Sequence, residues 1–158
     1  MKKNIINFCT ILAVLLALTA CEGNKEVDPR DIFVGTYSYE ATGSVEFKAS
    51  PLHWNIPLDE TGTFSITKEG EQDKVVITGW NDPINATVSG NQLILEPNTY
   101  STTYGDIALT FSFTYEKATL VDNSLTWKTD VSGVGQYSGF SIPGTGSVSM
   151  VAIKNAEN

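Results

Sequence analysis

The chain has 158 residues, with 10 Lys and Arg against 18 Asp and Glu and a net charge of −8. That length supports one hydrophobic core. The negative balance repels phosphate and excludes nucleic acid as an expected partner, and no polybasic stretch is present to hold the chain on anionic lipid by charge.

Lys2 and Lys3 open the chain, an almost unbroken aliphatic run follows from Ile11 to Leu18, and Leu18-Thr19-Ala20-Cys21 closes it. The run is shorter than the roughly 20 apolar residues a spanning helix needs and fits a secretory h-region. Its Leu-Thr-Ala-Cys ending resembles the lipobox of bacterial lipoproteins. The resemblance implies that residues 1–20 are a signal peptide and that cleavage leaves Cys21 at the new amino terminus. There Cys21 would carry a thioether-linked diacylglycerol and an acylated amino group. The alternative is an ordinary signal peptide cut elsewhere. Cleavage at the lipobox removes Lys2, Lys3 and Cys9, leaving 8 basic against 18 acidic side chains. With Cys21 as the one remaining thiol, and acylated, no intrachain disulfide can form. Attachment is then hydrophobic: each buried CH₂ contributes about 0.8 kcal/mol, and two or three acyl chains hold firmly. The expected location is the outer membrane, on its periplasmic face or at the cell surface.

From Cys21 to Asp31 the chain is polar, charged and interrupted by Pro29, and reads as a flexible tether whose ends lie about 20 Å apart. Lys25-Glu26 with Asp28 is loosely similar to the acidic export tag of surface lipoproteins in Bacteroidetes, a generic charged tether being the other reading. A folded domain is expected over residues 32–158. Period-two alternation predicts strands at Phe33–Phe47, Trp54–Leu58, Thr63–Lys68, Lys74–Trp80, Ala86–Ser89, Gln92–Glu96, Ile107–Tyr115, Ser124–Val131 and Ser147–Lys154. In the clearest of them Ile107, Leu109, Phe111, Phe113 and Tyr115 share one face. Turn chemistry separates the strands at Glu69-Gly70-Glu71, Asn81-Asp82-Pro83, Ser89-Gly90-Asn91, Asp122-Asn123 and the region Gly133 to Gly146. Tyr100-Ser-Thr-Thr-Tyr104 reads as a loop with a tyrosine at each end. No helical period is sustained. The pattern predicts an all-β domain, a single antiparallel barrel of about 8 strands, with a β-sandwich as the alternative.

Gly35-Thr36-Tyr37 on the first strand, Gly62–Thr67, Val75–Gly79 and Ala86–Leu93, together with the lipobox, resemble the small calycin-like, lipocalin-like β-barrel lipoproteins of Bacteroidetes. The resemblance implies an up-and-down barrel with a lipophilic interior pocket and no agreed activity. Lipocalins carry Gly-x-Trp on the first strand, and here Tyr37 stands at the tryptophan position.

Catalytic chemistry finds little to work with. No Gly-x-Ser-x-Gly elbow is present, and Ser138 and Ser141 lack its spacing. His53 is the only histidine, so neither a His–Cys zinc set nor a Cys–His pair can be assembled. Paired carboxylates would have to converge across one cleft, and Asp59, Glu60, Glu69, Glu71, Asp73, Asp106 and Glu116 sit mostly at turns and strand ends. Asn81-Asp82 and Asp122-Asn123 lack a third calcium ligand. Gly133, Gly135 and Gly139 do not make a dinucleotide fingerprint, and the Asn85-Ala86-Thr87 sequon has no use behind a bacterial lipobox. The expectation is a protein that is not an enzyme, without metal or cofactor.

Aromatic side chains are the remaining handle, because flat rings stack on sugars and acyl chains. Phe111, Phe113 and Trp127 read as core. Trp54 and Trp80, beside turn residues, and Tyr100 and Tyr104 are the expected ligand contacts. The expected function is an envelope-anchored lipoprotein whose barrel binds a small hydrophobic molecule or a sugar. The alternative is an accessory module of a surface complex that binds a protein partner without a small-molecule pocket, presenting an apolar patch on the barrel exterior.

Overall fold

The structure, a computed structural model, describes residues 27–50, 52–80 and 82–156; residues 1–20, expected to be a signal peptide, and Cys21 lie outside them. Eleven strands follow one another: β1 Gly35–Ala49, β2 Leu52–Pro57, β3 Glu60–Lys68, β4 Lys74–Thr78, β5 Ile84–Ser89, β6 Gln92–Leu95, β7 Asn98–Tyr104, β8 Ile107–Tyr115, β9 Ala118–Val121, β10 Ser124–Tyr137 and β11 Phe140–Lys154. Eight of them, β1-β3-β4-β5-β6-β9-β10-β11, close into an antiparallel ring, with β11 returning to β1. The ring is met in chain order, interrupted by β2 and by the β7–β8 hairpin, which stay outside it. The all-β barrel expected from the sequence is therefore the fold, with three more strands than the ring needs.

Three strands are too long for the barrel, and that excess builds everything else. The first part of β1, Gly35 to Ala41, pairs with β3, and the second, Ser44 to Ala49, pairs with β2. Along β10, Ser124 to Thr126 pair with β9 and Thr129 to Gln136 with β8. On its other side β11 runs the length of both. Past the ring these strands continue as an open curled sheet, in the order β2-β1-β11-β10-β8-β7.

The ring itself is filled. Phe33, Tyr37, Phe64, Ile66, Val75, Ile77, Leu93, Leu125 and Ala152 are buried inside it, as side chains of an eight-stranded barrel must be when no ligand occupies the lumen. Tyr37 donates its hydroxyl to the Phe33 carbonyl at 2.8 Å, and burial pushes its phenol up to about 12. Phe33 comes from a turn that seals this end. The described end of the segment read as a tether is docked here: Asp31 N–H donates to the Asp28 carbonyl at 3.0 Å, and the Phe33 amide to Arg30 at 2.9 Å. The Arg30 guanidinium holds Asp28 at 2.8 Å and donates to the Glu71 carbonyl at 2.6 Å, while Lys68 reaches Asp28 at 2.9 Å. Arg30 first and then Lys68 hold the Asp28 carboxyl well below the usual carboxylate range.

Three local expectations need correction. Tyr100 to Tyr104 is not a loop but most of β7, because its threonines and tyrosines pair with β8 along the whole length. The span Gly133 to Gly146 is not a turn region but the distal half of the β10–β11 hairpin, reversed only at Ser138 and Gly139 with φ of 48° and 82°, as a type I′ turn requires. Its glycines are there for contact rather than for turning: a Cβ on Gly133 or Gly144 would stand 2.8 or 2.7 Å from the Phe47 ring, so the bare backbone makes the seat for that ring. Ala118–Val121, given no strand by its sequence, completes the ring between β6 and β10.

Candidate functional site: an aromatic cleft over the barrel mouth

Alternation along β8 puts Leu109, Phe111, Phe113 and Tyr115 on the concave side of the open sheet, with Asn98, Tyr100, Thr102 and Tyr104 of β7 beside them. Thr129 and Trp127 of β10 and Val148 and Met150 of β11 continue this wall toward the ring. Facing it are Ile56 to Glu60, where β2 passes into β3, and Trp80, Asp82 and Ile84 between β4 and β5. Together they bound a cleft of about 640 Å³. Its size falls within the range of small-molecule sites.

The floor separates the cleft from the filled barrel. Trp80 packs on the core residue Phe64 with ring centroids 4.9 Å apart, and meets Trp127 edge-on at 6.3 Å. Tyr39 touches Trp80 at 5.8 Å, and its phenol is raised by burial first and then by Glu60, with Trp80 opposing. On the wall, Phe113 lies parallel to Tyr115 at 6.5 Å. The Tyr115 hydroxyl donates to Asn98 Oδ1 at 2.7 Å, and burial pushes its phenol up to about 12. Trp127 is only 6 % exposed, and its indole Nε1 has no hydrogen-bond partner within the protein. A buried donor left unpaired costs about 1–3 kcal/mol.

Charge at the cleft has one sign. Asp59, Glu60 and Asp82 stand on its rim, and among the described residues that bound it there is no Lys, Arg or His. Asp59 also accepts the Gly43 amide at 3.0 Å, which ties the β2–β3 corner to β1.

Of the four residues expected to touch a ligand, Trp80, Tyr100 and Tyr104 are brought together here, Tyr104 at the rim and 63 % exposed. Trp54 is not among them. It stacks on Phe47 at 5.3 Å and 9°, beside Gly135, at the far end of the open sheet, and its Nε1 is likewise buried and unpartnered. The carboxylates of the rim, and Phe113 and Trp127 as cleft residues rather than core alone, were not legible in advance. The one-sided row on β8 was visible in the sequence, but what it faces depends on the curl of the sheet. His53 meets a carboxylate, Glu46, at 2.5 Å; both are exposed, on a face of the β1–β2 hairpin away from the cleft. Among the described residues no group of three His, Cys, Asp or Glu is placed to hold a metal ion.

No protein-family model matches the chain, and no curated protein matches it. Among solved structures it is similar to the ywiB protein from Bacillus subtilis. That match is 10 % identical with a TM-score of 0.32, over 77 % of this chain and 93 % of the other. A score that low leaves the cleft to be read from its own residues.

Proposed function

We propose that the cleft binds a small uncharged ligand, a sugar or a hydrophobic molecule, on an envelope lipoprotein anchored through Cys21. The observation that carries the reading is the aromatic lining, Trp80, Tyr100, Phe111, Phe113, Tyr115 and Trp127 about one cavity above a filled ring. Rings of this kind stack on pyranose faces and acyl chains alike. The unpartnered Trp127 N–H and the hydroxyls of Thr102 and Thr129 add polar groups that a sugar would use and a hydrocarbon would not. The acidic rim, without a cation to oppose it, disfavours carboxylates and phosphates. Support for the anchor is the Leu18-Thr19-Ala20-Cys21 sequence.

Titration of the detergent-extracted chain with neutral mono- and oligosaccharides and with a neutral long-chain alcohol, read by tryptophan fluorescence, tests this. Trp80 and Trp127 should report binding directly. Tyr100→Ala and Phe113→Ala should each weaken it about five- to tenfold, the worth of one stacked ring. Saturable binding that both substitutions leave unchanged would put the ligand elsewhere.

A second reading, a pocket-free accessory module, is favoured by one observation. Val121, Val151 and Ile153 are exposed on the outside of the ring, where Ser124 pairs with both Val121 and Ile153. Capture of a membrane partner by the wild type but not by Val151→Asp/Ile153→Asp would support it.

A further inference from the structure

We propose that β7 is a docking edge, at which an extended, basic segment of a partner protein adds as a further antiparallel strand. The docking edge does not depend on the small-ligand reading, because it rests on backbone groups; only the choice of occupant uses the cleft and its acidic rim. Among the described residues β7 is the end of the sheet order and pairs with β8 alone. Its turn, Gly105-Asp106, has two residues, so the flanking pair Tyr104 and Ile107 is the hydrogen-bonded kind. Alternation then turns the amides and carbonyls of Thr99, Ser101 and Thr103 toward the open side.

Exposed edges are ordinarily blunted by lysine, proline or a bulge. The other open edge of this sheet follows that rule: β2 ends at Pro57, which has no amide, and runs beside the Glu46 and Lys48 charges of β1. On β7 none of these devices is present. Asn98-Thr-Tyr-Ser-Thr-Thr-Tyr104 is seven residues of uncharged, strand-favouring sequence without proline. It is a ready template of the kind used in strand addition, where main-chain bonds supply affinity and alternate side chains supply selectivity.

The occupant follows from charge. A strand laid along β7 points every second side chain into the cleft beside Tyr100, Thr102 and Tyr104, facing Asp59, Glu60 and Asp82 with no cation among the lining residues. Lysine or arginine at those alternate positions is matched, and glutamate or aspartate is opposed. A second copy of this chain is a poorer occupant, since its own β7 carries no basic residue and its net charge is −8.

The test is calorimetric titration of the detergent-extracted full chain with the heptapeptide Lys-Val-Lys-Val-Lys-Val-Lys and its Glu-Val counterpart. The basic peptide should bind and the acidic one bind about tenfold more weakly or not at all, and Glu60→Gln/Asp82→Asn should remove that preference. Ser101→Pro deletes one outward amide without touching a β8 bond, and should weaken the basic peptide about tenfold, the worth of one to two net hydrogen bonds. Ser101→Lys, which keeps the backbone intact, should do the same and decides the matter if the proline variant does not fold. Equal affinity in wild type and both Ser101 variants overturns the proposal, as does failure of the basic peptide to bind. Self-association abolished by Ser101→Lys overturns the chosen occupant in favour of a second copy. Ser101 does not line the cleft, so binding of a small ligand should survive its substitution and weaken with Tyr100→Ala; the two readings can thus fall separately.

Discussion

Phe47 is the pin that holds the open sheet together, and Gly144→Ala tests it. The ring stacks on Trp54 at 5.3 Å, meets Phe111 edge-on at 6.2 Å and packs against Gly133 of β10 and Gly144 of β11. A Cβ at residue 144 would stand 2.7 Å from both Cδ1 and Cε1 of the ring, about an ångström inside ordinary contact, and Gly133 on the next strand leaves no room to slide sideways. Withdrawal is blocked by Trp54. The added methyl must therefore push the two strands apart or force the ring off its rotamer, at about 1–3 kcal/mol for an overpacked core site. For a domain of this size that is a fall in Tm of about 3–12 °C. Thermal and urea unfolding of wild type, Gly144→Ala, Phe47→Leu and the double variant, followed by circular dichroism, measure it. The double variant should be more stable than the two single losses predict, with a coupling of about 1 kcal/mol or more, because leucine removes the atoms that the methyl strikes. Additive losses, or an unchanged Gly144→Ala protein, would refute the seat described for Phe47.

Arg30 and Asp28 predict an acid-sensitive end to the barrel. The Asp28 carboxyl is held below its ordinary 3.8 by Arg30 first and Lys68 second, so its stabilisation is present above that value and lost as pH falls beneath it. Arg30→Ala should flatten the fall in Tm between about pH 4 and pH 2 and speed amide exchange over Glu69–Lys74; an unchanged acid limb would count against the contact. Burial pushes Tyr37 and Tyr115 up to about 12, so they oppose folding of the ionised form: stability is full below pH 10 and declines as pH rises toward 12. At about pH 11 both should still hold their protons, and Tyr37→Phe and Tyr115→Phe should leave the number of phenolates seen by ultraviolet absorbance unchanged. Cys21→Ala should move the chain from the membrane to the soluble fraction, with no intact-mass shift from acylation. Recovery of the variant in the membrane would mean that charge or a partner, not lipid, holds it.

How far the fold was legible depended on where alternation was clean. Ile107 to Tyr115 alternates without a break and is β8 to the residue, and Ser89-Gly90-Asn91 is the tight reversal its Gly90, at φ 63°, allows. Tyr100 to Tyr104 looked like a loop because the two faces of β7 are nearly equal in polarity. A strand with polar residues on both sides has no period-two signature, and only pairing with β8 defines it. Glycines 133, 135 and 144 read as turn residues for a related reason: sequence shows a missing side chain, not the ring that fills its place.

The sequence by itself determined an all-β domain with one core and an inventory of one histidine and two cysteines, and it supplied the Leu18-Thr19-Ala20-Cys21 stretch on which the lipoprotein reading rests. These follow from local quantities: side-chain period, residue inventory and the length of an apolar run. Only the tertiary structure decided that β1, β10 and β11 outrun the ring, and that their overhang curls with β2, β7 and β8 into a cleft. The same curl joins Trp80, Tyr100 and Phe113 while leaving Trp54 to packing. Closure and curl are set by which strand edges remain to be paired after the ring is complete, a property of the whole assembly that no single segment carries.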